Sequence, residues 1–197
     1  SYIITRFLLW KKERILQVFG GTGLVLLLWT FGYFGTSVYS WFGNVFDLSE
    51  YRGLDATAYL ENVFSEDAGA IRWLDETIEG QPVVLEANGD SYSDYERVSA
   101  MTGLPTVLGW YVHEWLWRGD PADLNVRAED VKQMYTSTDT NEVLRLLEQY
   151  HVTYIFVGSK EKEKYGDALN ESLLQSIGDI VYQDTASGTY ILQVQDT

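Results

Sequence analysis

With 197 residues, 46% of them hydrophobic, the chain can bury one sizeable core, so one globular unit with appendages is expected rather than two full domains. It has no cysteine and only two histidines, which excludes disulfides, thiolate zinc sites, a cysteine nucleophile and a histidine-rich cage; no metal and no cofactor are expected. The net charge of −15 is unevenly spread: residues 47–197 hold 10 basic and 28 acidic side chains, a net of −18, and such a field repels nucleic acid and excludes it as a partner.

The chain opens on Ser rather than Met, and its first stretch, SYIITRFLLW, is apolar, so further sequence upstream is expected. From Ile15 to Phe42 there is no charged residue, and the run exceeds the roughly 20 residues needed to cross a hydrocarbon core. A transmembrane helix is predicted there. A signal peptide fits less well, because the run outlasts the usual apolar region of about 7–15 residues and no small-residue cleavage site closes it. Tyr39 and Trp41 lie near the far end, where amphipathic rings favour the headgroup layer. Lys11, Lys12 and Arg14 precede the span while Asp47 and Glu50 follow it, which places residues 1–14 in the cytoplasm and everything after about residue 43 outside it. Residues 43–64 are read as a linker and 65–197 as an extracytoplasmic domain.

Beyond the membrane, helix and strand patterns alternate. Ser65 is the expected N-cap of an amphipathic helix carrying Ala70, Ile71 and Leu74 and ending at Gly80. Pro82 to Ala87 reads as a buried strand, DSYSDYERVSAM as helix or loop, and PTVLGW as a second short strand. Helical periodicity over Arg127–Tyr135 and Asn141–Tyr150 precedes the strand VTYIFVG, and SKEKEKYG and NESLLQSIG are helical again. IVYQD and TYILQV flank TASG as a hairpin with Gly188 in the turn. The fold class is therefore α/β: a three-layer domain with a mostly parallel sheet and an antiparallel edge hairpin, preceded by one transmembrane helix.

Ligands of such sheets gather at the carboxyl ends of strands, here the loops after Ala87, Trp110 and Gly158. In the first, Gly89-Asp90-Ser91 invites comparison with GDSL-type hydrolases, whose serine needs a histidine base oriented by an acid. That family's histidine sits three residues after an aspartate, whereas His151 follows Glu148 and His113 follows Trp110, so Asp90 or Ser91 is read as a helix N-cap. In the second, a helix over Val112–Gly119 would put His113 beside Trp117 and pair Glu114 with Arg118. The tryptophans either anchor a core or form a flat platform for sugars, with Arg and His addressing phosphate or hydroxyls.

TGLPTVLGW followed by His113, Glu114, Trp117, Arg118 and Gly119 resembles a motif of the YYY family of polytopic membrane proteins, which is similar to the GT-C glycosyltransferases. The resemblance runs from about Leu54 to Val194 and includes the last membrane span. Two departures are Tyr111-Val112, where a small or proline-containing pair is expected, and Leu116, where glutamine is usual. The resemblance implies a polyprenyl-linked sugar donor, a glycan acceptor and the remaining transmembrane part of the same protein or complex as partners, beside the membrane itself. It also implies a substrate-binding role for Glu86, Tyr92, Arg97, Trp110, His113, Glu114, Trp117, Arg118, Glu161 and Tyr165. Glu86 or Glu114 would deprotonate an acceptor, and Arg97, Arg118 or His113 would steady a phosphate. The catalytic acid of GT-C enzymes lies in an early loop that this sequence does not contain, so a contributing domain is expected, not a complete catalyst. The alternative is a non-enzymatic, membrane-anchored interaction or structural module.

Overall fold

The computed structural model describes residues 2–9, 13–44, 47–49 and 56–195 and divides into two compact units, residues 1–54 and 55–197. Lys11, Lys12 and Glu50, which flank the predicted span, and residues 45–46 and 51–55 of the expected linker lie outside the described residues.

The first unit is a pair of helices, α1 (Tyr2–Leu8) and α2 (Arg14–Phe42). At 29 residues, α2 is about 44 Å long, and it is the one helix among the described residues long and apolar enough to cross a membrane. Gly20 is its one buried residue, and Trp29, Tyr33, Tyr39 and Trp41 all face outward. α1 lies against it at Gly20 and Gly23: a Cβ on Gly20 would come within 2.9 Å of the Leu8 nitrogen, and one on Gly23 within 3.3 Å of Ile4 Cγ1. Small residues one turn apart let two helices approach closely, the usual device where lipid offers no hydrophobic gain between helices.

The second unit begins with a 3-10 turn (Ala56–Tyr59) leading into α3 (Leu60–Val63) and α4 (Ala68–Thr77). β1 (Val83–Leu85), α5 (Arg97–Thr102), α6 (Tyr111–Arg118), α7 (Ala122–Thr136) and α8 (Thr140–Gln149) follow. β2 (Val152–Val157), α9 (Ser159–Tyr165), α10 (Glu171–Ile177), β3 (Gly178–Gln183) and β4 (Tyr190–Val194) complete it. The sheet order is β1-β2-β4-β3. β1 and β2 are parallel, while β4 runs antiparallel to both β2 and β3 and forms the predicted hairpin. Asp184 donates its N–H to the Thr189 carbonyl at 2.8 Å, and Gly188 takes the positive φ of 73° that the turn requires.

Side chains alternate across the strands, so each sheet face buries its own cluster. Leu85, Ile155, Val157, Tyr190 and Leu192 pack with Leu124 and Val131 of α7, Leu146 of α8 and Leu174 of α10. On the other face, Val84, Phe156 and Ile191 meet Leu60 of α3, Ile71 and Leu74 of α4, and Val98 of α5. These are the two outer layers of the three-layer α/β fold.

Two local expectations are corrected. The Pro105–Trp110 segment is reduced to a single parallel bridge from Thr106 to Val84: Pro105 has no N–H to give, although its carbonyl accepts from Val84 at 2.9 Å, and Val107 and Leu108 then turn into the core. Ser65 does not cap α4, which starts at Ala68. The residue at its N-cap, Asp67, makes no capping bond, because its carboxylate turns inward to Arg97.

Candidate functional site

The carboxyl ends of β1, the Thr106 bridge and β2 all point the same way, and the three loops that leave them meet there. Glu161 of the third loop accepts the Ala87 N–H at 2.9 Å, and Lys164 donates to the Asn88 carbonyl and, at 3.0 Å, to Asn88 Oδ1. The second loop joins the first through Trp110 Nε1–H to the Tyr95 carbonyl, 3.1 Å, and Tyr111 N–H to the Gly89 carbonyl, 3.3 Å.

Beneath this junction lies a buried network of charges. Arg97 donates through Nε to Asp67 at 2.7 Å and through Nη2 to Glu161 at 2.9 Å, with the three side chains at most 1% exposed. Asp67 also accepts from the Ser159 N–H at 3.0 Å, from the Ser159 hydroxyl, and from the Thr189 hydroxyl at 3.0 Å. Burial opposes its ionisation, but the Arg97 charge and the Ser159 bonds outweigh burial and hold its pKa below the usual carboxylate value. Arg97 likewise faces a burial penalty, which the charge of Glu161 and its hydrogen bond overcome, so its pKa is raised. Gly158 is required here by close approach: a Cβ would stand 2.3 Å from Asp67 Oδ1 and 2.6 Å from Phe156 Cε1.

Glu86 is fully buried at the end of β1, and its two oxygens accept the N–H groups of Val98 and Ser99 at 2.9 and 2.8 Å. It thereby caps α5, whose own N-cap residue, Glu96, gives no side-chain cap. Burial raises the Glu86 pKa despite those bonds and the nearby Arg97 charge. Glu96 sits in the left-handed region at φ 59° with 5% of its surface exposed. Its Oε1 accepts the Gly89 N–H at 2.8 Å, while Oε2 has no partner among the described residues. Burial, aided by the charges of Glu86 and Glu114, pushes its pKa up to about 8.

Four of the ten sequence-derived site residues lie below the surface. Glu86, Arg97, Glu161 and Tyr165 are interior, and the first three spend their polar atoms on backbone and on one another, so they shape the loops from below. The Tyr165 ring stacks on Tyr135 at 5.0 Å, and its buried hydroxyl has no partner among the described residues. Glu114 is also engaged at both oxygens, by the Gly109 N–H at 2.6 Å and by Arg118 Nε at 2.9 Å, the predicted pair across one helical turn. It clamps the second loop onto α6.

Three of the remaining candidates form a surface corner. Tyr92, Trp110 and His113 have ring centroids 5.0–5.5 Å apart: Tyr92 to Trp110 5.5 Å, Tyr92 to His113 5.0 Å edge-on, and Trp110 to His113 5.3 Å. Tyr92 is 85% exposed, held out by a left-handed backbone at φ 62°. Ser91 Oγ lies 2.6 Å from His113 Nδ1. Sequence reasoning had set this pairing aside and expected Asp90 or Ser91 to cap a helix. The structure corrects that: α5 starts only at Arg97, and Glu86 holds its first N–H groups. A sequence separation of twenty-two from Ser91 to His113 leaves no spacing signal for such a contact. No carboxylate is bonded to the His113 ring among the described residues, so a serine, histidine and acid triad is not assembled. When Nδ1 accepts from Ser91, Nε2–H is left as a donor toward whatever occupies the corner.

Trp117 and Arg118 sit farther out on α6, which buries none of its residues. His151, the other histidine, is at the opposite end of β2, beside a cavity of about 560 Å³ lined by Leu144, Arg145, Glu148 and Val194. None of the ten candidates lines that cavity, and the corner is the place where aromatic faces and hydrogen-bonding groups converge. Among the described residues no group of three or more His, Asp or Glu side chains could hold a metal ion.

No protein-family model matches the chain, and no curated protein matches it. Among solved structures it is similar to the C-terminal globular domain of oligosaccharyltransferase from Archaeoglobus fulgidus, at 12% identity and a TM-score of 0.40, over 64% of this chain and 95% of that one.

Proposed function

We propose that this chain is the membrane-anchored, extracytoplasmic carboxyl-terminal part of a GT-C-like glycosyltransferase, and that it contributes a binding corner for a polyprenyl-linked sugar. The observation that carries the reading is the convergence of Ser91, Tyr92, Trp110 and His113, from two different loops, at the carboxyl end of the sheet. Flat rings suit the apolar face of a sugar, while a serine hydroxyl and an imidazole N–H suit its hydroxyls or a linking phosphate. Support also comes from the TGLPTVLGW segment and the His113 to Gly119 motif that resemble the YYY family, since they build half of this corner, and from α2, which has the length and composition of a span.

The groups for catalysis are not gathered with the corner. Glu86 and Arg97 lie beneath it, with their polar atoms taken. The role is therefore recognition and orientation of substrate, with the reacting groups supplied by another part of the machine.

The test is titration of the full chain, in phosphatidylcholine nanodiscs, with farnesyl-phosphoryl-glucose and with farnesyl phosphate alone, read by calorimetry. Trp110→Ala and His113→Ala should each weaken binding of the sugar-bearing probe about tenfold, the size of one lost stacking or hydrogen-bonding contact. Equal affinities for wild type and both variants, or no binding by any of them, would overturn the reading.

A further inference from the structure

The last turn of α6 exposes three large apolar side chains in a row: Trp115 is 42% exposed, Leu116 73% and Trp117 87%. No residue of this helix is buried, in contrast to α4, α7, α8 and α10, each of which plants an apolar face in the core. Gly119, at φ 80°, ends the helix directly afterwards. An ordinary solvated surface does not keep two tryptophans and a leucine together at a helix end.

We infer that this turn inserts into the headgroup layer of a bilayer and docks the domain on the membrane surface. The inference rests on the reading of α2 as a membrane span. Tryptophan and leucine are the side chains expected at that depth, since the indole has an apolar body and one N–H for the wet side. The polar neighbours fit as well. Arg118 is paired with Glu114 at 2.9 Å, so the turn carries into the interface an ion pair already neutralised rather than a bare charge. The strong negative charge of residues 47–197 rules out attraction to anionic lipids as the driving force, so docking depends on apolar insertion and is insensitive to salt. This assignment separates Trp117 from the sugar corner. Its i, i+4 partner His113 stays with Ser91 while Trp117 reaches outward, so one short helix links a lipid contact to a binding contact.

The chain has no native cysteine, so single spin labels can be placed on the full protein. Leu27→Cys reports the span, Leu116→Cys the proposed contact, and Ile180→Cys, on the exposed side of β3 at 45% exposure, an aqueous reference. In phosphatidylcholine nanodiscs, the label at 116 should be several-fold more accessible to oxygen than to a water-soluble nickel chelate, at a depth of about 5–10 Å. Adding Trp117→Glu should return it to the aqueous pattern of position 180. A label at 116 that reads as aqueous, or as shielded from both reagents by protein, with 27 still in lipid, overturns the inference and leaves the span intact. A label at 27 outside lipid overturns both.

Discussion

Replacing Arg97 with Met tests whether the interior charge network holds the loop junction together. Methionine fills similar space with apolar atoms but leaves Asp67 and Glu161 buried without their cation. Removing one partner of a buried ion pair typically costs about 3–5 kcal/mol, because the survivor remains desolvated and uncompensated. Two carboxylates are stranded here, yet each keeps other donors: Ser159 and Thr189 for Asp67, the N–H groups of Ala87 and Gly158 for Glu161. The expected loss is therefore about 3–5 kcal/mol at pH 7 rather than twice that, a large share of the roughly 5–15 kcal/mol available to a domain. The pH dependence gives a second reading. In the wild type, Asp67 has a lowered pKa, so its contribution is present above the unfolded value of 3.8 and is lost only as pH falls through the folded one. In the Arg97→Met variant Asp67 loses the charge that lowers its pKa while burial still opposes its ionisation, so protonation relieves it as pH falls. The stability gap should narrow between pH 7 and pH 5. Urea unfolding of the full chain in micelles, followed by near-ultraviolet circular dichroism, measures both quantities. A gap under about 1 kcal/mol at pH 7, or one that stays constant down to pH 5, would refute the reasoning.

Two further outcomes follow from the same region. Glu96 has a folded pKa of about 8 against an ordinary 4.5, so the folded state holds its proton more tightly and stability should fall as pH rises from about 5 to 8. Glu96→Gln should flatten that slope in the same urea measurement, and an unchanged slope would show that this carboxyl does not titrate as its burial demands. Gly158→Ala drives a Cβ to 2.3 Å from Asp67 Oδ1, so the urea midpoint should drop by the equivalent of about 1–3 kcal/mol; an unshifted midpoint would mean that the packing there is loose.

Much of the fold was legible because its signals are local. The apolar run from Ile15, the β-branched and aromatic run VTYIFV and the Gly188 turn each depend on neighbours a few residues away, and each appears as expected. PTVLGW misled because a short apolar run bounded by Pro and Gly reads as a strand whether or not a partner strand lies along it, and only Thr106 pairs. Glu86 and Arg97 are a different case. Charged residues in loops at the carboxyl ends of strands read as chemistry, and nothing in their spacing tells that Val98, Ser99, Asp67 and Glu161 consume them.

The sequence by itself determined the apolar helix, the acidic α/β domain and the Glu114–Arg118 pair, since period, composition and i, i+4 spacing are properties of the chain. Only the tertiary structure decided which polar residues face inward and which outward. It brought Ser91 to His113 across a sequence separation of twenty-two, put Glu86 under α5 as its cap, and left Trp117 outside. The physical reason is that a buried charge must find partners wherever the fold supplies them, and those partners come from loops that sequence distance does not relate.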